Sequence, residues 1–295
     1  MRPLLFDLGA HPGLSARVQA VLGAERGALE LRRFPDGECY LRLETSPAAR
    51  AVILLCPLDG PDTRTLPVLF AAATCRELGA DSVGLAAPYL AYMRQDIRFR
   101  PGEAVTSRTY AALLSDALDW LVTVDPHLHR YDSLDEIYRI PTRSLAAAPA
   151  LAAWIAAEVA HPVLIGPDAE SAQWVADVAK RIGAPWRVLE KSRRGDREVS
   201  VSVPDLEAHR HCTPVLLDDI VSTGATMVAA LEHLRSQGAV APVCLAVHGL
   251  FADQAEAALR QAGAARVVTC NTVVHPSNGV CVAEVLAGGI RSCLY

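Results

Sequence analysis

Apolar runs alternate with helix-like segments along almost the whole chain. In the first half, the segments Ala51 to Cys56, Ser82 to Ala86 and Trp120 to Val124 are short, apolar and typical of buried strands. Between them, residues 66–78 and 107–118 have the apolar spacing of helices. Because strands that alternate with helices form βαβ units, this half predicts a mostly parallel sheet flanked by helices.

The same alternation begins again in the second half. The predicted helices are residues 173–182 and 226–237, and the predicted strands are residues 162–165, 186–189, 213–217, 243–247 and 266–270. Two prolines, Pro141 and Pro149, bracket the stretch between the halves. The sequence therefore predicts an α/β protein of two domains. Ligands of such sheets bind beyond the carboxyl ends of the strands.

Composition narrows the class of partner. The 295 residues carry a net charge of −5, which argues against a general affinity for nucleic acid or for an anionic membrane. The most apolar stretch, Leu145 to Ala160, is mostly alanine and predicts a buried helix. Eight cysteines are scattered without any C-x-x-C pair, and the first apolar run is too short for a signal peptide. We therefore expect a cytoplasmic protein.

Candidate chemistry is concentrated in the segment LLDDIVSTGAT, Leu216 to Thr226. A predicted strand ends in two acids, Asp218 and Asp219, and small residues then lead into a helix. Small side chains let backbone N–H groups approach an anion, and the helix N-terminus attracts negative charge. The two acids would repel a phosphate but suit hydroxyl groups or a metal. The alternative is an ordinary capped turn. The candidate phosphate-binding residues are Ser222, Thr223, Gly224, Ala225 and Thr226.

This segment resembles the phosphoribosyl-diphosphate-binding loop of type I phosphoribosyltransferases and of ribose-phosphate pyrophosphokinases. The loop alone does not separate the two families, but further segments are similar to the pyrophosphokinases. The first is RFPDGE, Arg33 to Glu38. The resemblance implies ATP binding, in which Phe34 would stack on a base and Asp36, Gly37 and Glu38 would flank the nucleotide. Asp-Gly between apolar runs is also an ordinary hairpin turn.

The second segment is PYLAYMRQDIRFR, Pro88 to Arg100, which resembles the ATP-binding segment of the same family. It implies that Arg94 and Gln95 contact ATP. Nearby guanidinium groups suit a triphosphate, although a basic surface loop is the alternative. Ile97 stands where many relatives have lysine.

Two more segments imply metal contacts. TVDPHLHR follows a predicted strand and makes His127 a Mg²⁺ contact, whereas IGPDAE makes Asp168 the second one. A structural histidine and a helix-capping aspartate are the alternatives. His129 and Glu170 have no role that the resemblance assigns.

The last segment, LEKSRRGDREV, resembles the catalytic loop of the family. Lys191 and Arg193 match its basic residues, and such cations offset charge that develops during phosphoryl transfer. A solvated basic turn is the alternative.

The resemblance implies two type I phosphoribosyltransferase domains, residues 1–143 and 144–275, with 276–295 joining the first. It also implies an enzyme that uses Mg²⁺, ATP and ribose 5-phosphate, as a homodimer or homohexamer. A phosphoribosyltransferase and a non-catalytic regulatory homologue are the alternatives.

Overall fold

The computed structural model describes residues 2–168, 171–194, 198–202, 209–239 and 241–294. These residues form two compact units. The first runs to Ala146 and also takes Thr272–Val274 and the chain from Val282; the second comprises Ala147–Asn271 and His275–Cys281. The domain limits predicted from the sequence, residues 1–143 joined by 276–295 and residues 144–275, stay a prediction.

The first unit is built on a six-stranded sheet. Its strands are β1 (Leu4–Asp7), β2 (Glu25–Gly27), β5 (Ala51–Leu55), β6 (Ser82–Ala87), β7 (Trp120–Val124) and β8 (Thr142–Leu145). They pair in the order β2-β1-β5-β6-β7-β8, and every pair is parallel. The strands β3 (Leu29–Arg33) and β4 (Cys39–Leu43) form a separate antiparallel hairpin. The helices are α1 (Pro12–Leu22), α2 (Pro61–Glu77), α3 (Thr106–Ala117) and α8 (Ala283–Leu294).

The second unit repeats this plan. Its sheet strands are β9 (Pro162–Gly166), β10 (Trp186–Val188), β13 (Thr213–Val221), β14 (Val243–Gly249), β15 (Arg266–Cys270) and β16 (Asn278–Val280). Their order, β10-β9-β13-β14-β15-β16, matches that of the first sheet strand for strand. The helices are α4 (Ala148–Glu158), α5 (Ala172–Ile182), α6 (Ala225–Ser236) and α7 (Ala255–Gln261), and β11 (Glu190–Arg194) pairs with β12 (Glu198–Ser202) as a hairpin. The predicted α/β class with parallel sheets is confirmed.

Burial explains why these runs became strands. In β5, residues 52–55 are fully buried, as expected where helices cover both faces of a parallel sheet. The strand predicted to end at Leu217 was too short, because Ile220 and Val221 of β13 remain paired with His248 and Gly249 of β14. The sequence prediction therefore placed the two acids after the strand, whereas they lie within it.

The alanine-rich stretch in the middle of the chain is helix α4. Its buried positions are Ala148, Leu151, Ala152 and Ile155, so one face of the helix packs inside the second unit, to which α4 belongs. Among the described residues, no helix is long and apolar enough to cross a membrane.

Candidate functional site

The two acids of the second unit lie near the carboxyl end of β13. The backbone N–H of Asp219 donates to Oδ1 of Asp218 at 3.0 Å, and that of Ile220 donates to Oδ1 of Asp219 at 2.7 Å. Both side chains are half-buried. The strand therefore presents two adjacent carboxyl groups at the edge of the sheet where ligands of α/β folds bind.

Burial and neighbouring charge make Asp218 hard to ionise. Removal from water raises the pKa of Asp218 to about 8, and the negative charges of Asp219 and Asp168 add to the rise. Asp168 therefore lies close enough for its charge to be felt at Asp218. Hydroxyl donors or a cation would relieve this repulsion, whereas a phosphate placed directly against these carboxyl groups would increase it.

The segment after the two acids leads into α6. Helix α6 begins after Gly224, whose φ of 73° is left-handed, and no side chain of the described chain caps its first turn. The first N–H groups of a helix have no acceptor within the helix, and this first turn contains no acid. These amides and the hydroxyls of Ser222, Thr223 and Thr226 can therefore receive an anion.

Glycine is required at Gly224 rather than at the next position. A Cβ at Gly224 would meet the Ala255 Cβ at 3.4 Å, in a backbone conformation that L-residues rarely adopt. Ala225 lies inside the helix and is not among the described residues with positive φ. Its methyl group is therefore compatible with the loop.

Asp168 follows β9, the neighbour of β13 in the sheet. Its Oδ1 accepts a hydrogen bond from the Ser171 N–H at 3.2 Å, and Ser171 Oγ donates to its carbonyl oxygen at 2.6 Å. These contacts lie just before α5, whose N-cap residue is Ser171 rather than Asp168. They leave open the metal role, which stays a prediction. Glu170 lies outside the described residues.

The two predicted catalytic cations belong to the hairpin of β11 and β12. Lys191 pairs with Val201 and Arg193 pairs with Val199 in its antiparallel register. Their side chains lie outside the described part of the structure, so their catalytic role stays a prediction.

In the first unit, RFPDGE forms the turn of the β3–β4 hairpin. The Phe34 N–H donates to the Glu38 carbonyl at 2.8 Å, the Glu38 N–H donates to Asp36 Oδ1 at 3.2 Å, and Gly37 has a φ of 95°. The predicted turn is therefore present. Phe34 is 39% exposed, its ring lies edge-on to Tyr40, and the Arg32 guanidinium lies over the ring at 4.8 Å from its centre.

The segment of Arg94 and Gln95 follows β6. Arg94 is exposed and Gln95 is half-buried, and the Gln95 carbonyl accepts from the Ser107 N–H at 3.3 Å. The next residue, Asp96, is only 2% exposed, and Arg130 Nη1 donates to both its carboxylate oxygens. Sequence reasoning missed Arg130, because no local pattern links residues this far apart in the chain.

His127 follows β7, the neighbour of β6. Its ring packs on that of His129 with centroids 4.2 Å apart. The preceding Asp125 has a φ of 35°, and its N–H donates to the Leu145 carbonyl at 2.8 Å. Among the described residues, no group of three or more acids, histidines or cysteines is arranged to hold a metal ion by itself.

Two family models match successive parts of the chain. Residues 4–117 match the N-terminal domain of ribose phosphate pyrophosphokinase, and residues 133–284 match the phosphoribosyl transferase domain. The ribose-phosphate pyrophosphokinase of Methanopyrus kandleri is 33% identical over 281 residues, which are 95% of each chain.

The chain belongs to the ribose-phosphate pyrophosphokinase family.

Other pyrophosphokinases agree with this placement. That of Methanothermobacter thermautotrophicus is 32% identical and covers 96% of this chain and 98% of its own. The crystal structure of phosphoribosylpyrophosphate synthetase from Mycobacterium smegmatis has a TM-score of 0.85 and 26% identity, with 99% of both chains covered. The predicted family, the phosphoribosyltransferase-type fold and the assignment as an enzyme of the pyrophosphokinase family are confirmed.

Proposed function

We propose that this pyrophosphokinase transfers the diphosphate of Mg-ATP to the anomeric hydroxyl of ribose 5-phosphate. The products are 5-phosphoribosyl 1-diphosphate and AMP, for nucleotide biosynthesis. The observation that carries the proposal is the end of β13, where two acids precede an uncapped helix that begins at a left-handed glycine. That arrangement has a place for a phosphate beside a place for hydroxyl groups.

The 5-phosphate is assigned to the amides and hydroxyls of Ser222 to Thr226. The uncapped first turn of α6 supplies N–H donors, and the helix dipole favours the negative charge. Asp218 and Asp219 then accept from the 2- and 3-hydroxyls of the ribose. Two acids beside a phosphate site therefore distinguish a phosphorylated sugar from a free phosphate.

ATP is assigned to the first unit. Phe34 stacks on the base, while Asp36, Gly37 and Glu38 of the same turn flank the nucleotide. Arg94 and Gln95 contact the phosphates. The exposed position of Phe34 and of Arg94 supports this assignment, because both side chains are accessible to a ligand.

The reaction is an in-line displacement at phosphorus. The anomeric oxygen forms a bond to the β-phosphorus, the bond from that phosphorus to the α,β-bridging oxygen breaks, and AMP leaves with that oxygen. The hydroxyl proton is released without an assigned base. Lys191 and Arg193 offset the negative charge that develops on the transferred diphosphate.

His127 of the first unit and Asp168 of the second are each assigned a contact with Mg²⁺. The residues around Asp168 fit a divalent cation, because its charge adds to the repulsion at Asp218 and carboxylate oxygens are the ligands Mg²⁺ prefers. When bound, Mg²⁺ neutralises charge on the phosphates of ATP.

The protein is proposed to be a homodimer or homohexamer, in which Phe34, Asp36 and Glu38 complete the ATP site of a neighbouring subunit. The exposed hairpin that carries them supports this role. Phe34→Ala and Lys191→Ala should each lose most of the activity alone, and a mixture of the two should regain activity. A fully active monomer in sedimentation experiments would contradict the proposal.

Product analysis tests the reaction. Purified protein with Mg²⁺, ATP and ribose 5-phosphate should give equal amounts of AMP and the sugar diphosphate by ³¹P NMR. The same assay with other nucleoside triphosphates and other pentose phosphates defines both specificities. ATP binding without any turnover would instead favour a non-catalytic homologue.

A phosphoribosyltransferase is the second candidate, because residues 133–284 match the phosphoribosyl transferase domain. Such an enzyme would consume 5-phosphoribosyl 1-diphosphate and a base without ATP. Release of diphosphate from that mixture, with no AMP from ATP and ribose 5-phosphate, would establish it.

A further inference from the structure

Two loops of the first unit follow neighbouring strands, and an ion pair with a buried carboxylate joins them. Asp96 follows β6 and Arg130 follows β7. Arg130 Nη1 donates to Oδ1 and Oδ2 of Asp96 at 2.8 and 3.1 Å. The Asp96 carboxylate is 2% exposed, whereas the Arg130 side chain is 46% exposed. A carboxylate this buried depends on its partner cation for compensation.

Tyr131 makes a second link between the same loops. Its hydroxyl donates to the Asp96 carbonyl oxygen at 3.2 Å and lies 3.2 Å from Ser107 Oγ. Arg108 Nε donates to the same hydroxyl at 3.4 Å. Tyr131 and Ser107 are both buried, so these contacts are shielded from water. Side chain and backbone of Asp96 are therefore held by successive residues of the other loop.

The linked residues border two groups assigned to ATP. Arg94 and Gln95 directly precede Asp96, and His127 lies three residues before Arg130. The Arg130 guanidinium also lies 5.3 Å from the centre of the Phe99 ring, in the first loop. The ion pair thus links the segment of Arg94 and Gln95 to the segment of His127.

We propose that Arg130 and Tyr131 are positioning residues for ATP, which act through Asp96 to hold Arg94 and Gln95 in place relative to His127. This inference rests on the proposed use of ATP. Neither residue needs to touch the nucleotide. Positioning matters because ångström-scale misplacement of contacting groups costs up to about a hundredfold in rate.

Substitution of Arg130 tests the inference through the two Michaelis constants. Arg130→Gln should raise KM for ATP about tenfold and leave KM for ribose 5-phosphate within about twofold, because the sugar phosphate is assigned to the second unit. The KM of Arg130→Lys for ATP should lie between those of Arg130→Gln and the wild type. Lysine restores the charge but not the planar guanidinium group.

Arg139→Gln is the matched control. Arg139 forms an exposed ion pair with Asp116, also in the first unit, and its loss should change neither KM. Tyr131→Phe is the second test variant, because it keeps the ring and removes only the hydroxyl. Tyr131→Phe should raise KM for ATP about threefold. This variant tests the inference if Arg130→Gln does not fold.

Three outcomes would overturn the inference: an unchanged KM for ATP in folded Arg130→Gln, an equal rise in both Michaelis constants, or no rescue by lysine. Calorimetric titration with ATP alone separates this inference from the proposed reaction. If the wild type bound ATP without forming AMP, the reaction would be wrong, and weaker ATP binding by Arg130→Gln would still support positioning.

Discussion

The pKa of Asp218, which we assign to a ribose hydroxyl, is raised by its surroundings. Its carboxyl lies beside Asp219, feels the charge of Asp168 and is partly withdrawn from water. These effects disfavour the ionised form in the absence of a ligand. The site is therefore under electrostatic strain that a hydroxyl donor or a cation relieves.

The stability of the ligand-free protein should depend on pH through this residue. Because the folded pKa of Asp218, about 8, lies above its usual 3.8, the contribution to stability is fully present below pH 3.8 and is lost as pH rises towards 8. Asp218→Asn removes this loss. The Tm of Asp218→Asn minus that of the wild type should grow by roughly 10 °C between pH 4.5 and 8.5.

Thermal unfolding across this pH range, without metal, measures the difference. Asp177→Asn, an exposed aspartate on α5, should show no such pH dependence. A difference between wild type and Asp218→Asn that stays constant with pH would contradict the electrostatic account. Addition of Mg²⁺ at pH 8.5 should narrow the difference by raising the wild-type Tm.

Substitution of Gly224 tests whether the phosphate loop needs a left-handed residue at this position. Gly224→Ala should destabilise the protein by about 1 kcal/mol or more, because the left-handed conformation is unfavourable for alanine. It should also raise KM for ribose 5-phosphate, since the first N–H groups of α6 would shift. Urea unfolding and steady-state kinetics measure the two effects.

The first unit supplies a matched control for this substitution. Gly60 precedes α2 as Gly224 precedes α6, with a φ of 62° and no side-chain cap. Gly60→Ala should cost similar stability and leave KM for ribose 5-phosphate unchanged. If both variants raised that KM equally, the loop at Gly224 would have no special role.

At the scale of elements, the hairpin of β11 and β12 carries the proposed catalytic cations. Lys191→Ala should lower kcat by about 10²–10³-fold, because a cation that meets developing charge acts mainly in the transition state. The KM values should change much less. Ser192→Ala, at the adjacent position of the same strand, is the control and should keep wild-type kcat. The rate of AMP formation measures kcat for both variants. A Lys191→Ala variant with wild-type kcat would refute the assigned role.

Local pattern predicted most elements, since apolar runs such as those of β7 and β15 have the observed bounds. Prediction from local pattern failed where pairing with residues distant in the sequence determines the structure. Strand β13 extends to Val221 because β14 offers partners for Ile220 and Val221. In the site, the turn at Asp36 followed from local chemistry. The bond between Asp96 and Arg130 did not, because only the fold brings these residues together.

At the scale of the molecule, the two units share one strand order but differ in chemistry at corresponding positions. In the first unit, the segment between β5 and α2 has Asp59 and Asp62 near the helix start, and Asp59 pairs with Arg64 at 3.2 Å. Acids at this place would repel a phosphate. The second unit instead has Ser222 and Thr223 before an uncapped helix. One fold therefore supports two different binding surfaces, which the assignment of ATP and sugar phosphate to separate units requires.

We propose that this pyrophosphokinase moves the β- and γ-phosphates of ATP together to the sugar. The decisive experiment incubates ATP labelled with ³²P at the β-phosphate with Mg²⁺ and ribose 5-phosphate. The label should appear in 5-phosphoribosyl 1-diphosphate, with an equal amount of unlabelled AMP. Label recovered in ADP, or label that stays in ATP although both substrates bind, would contradict it.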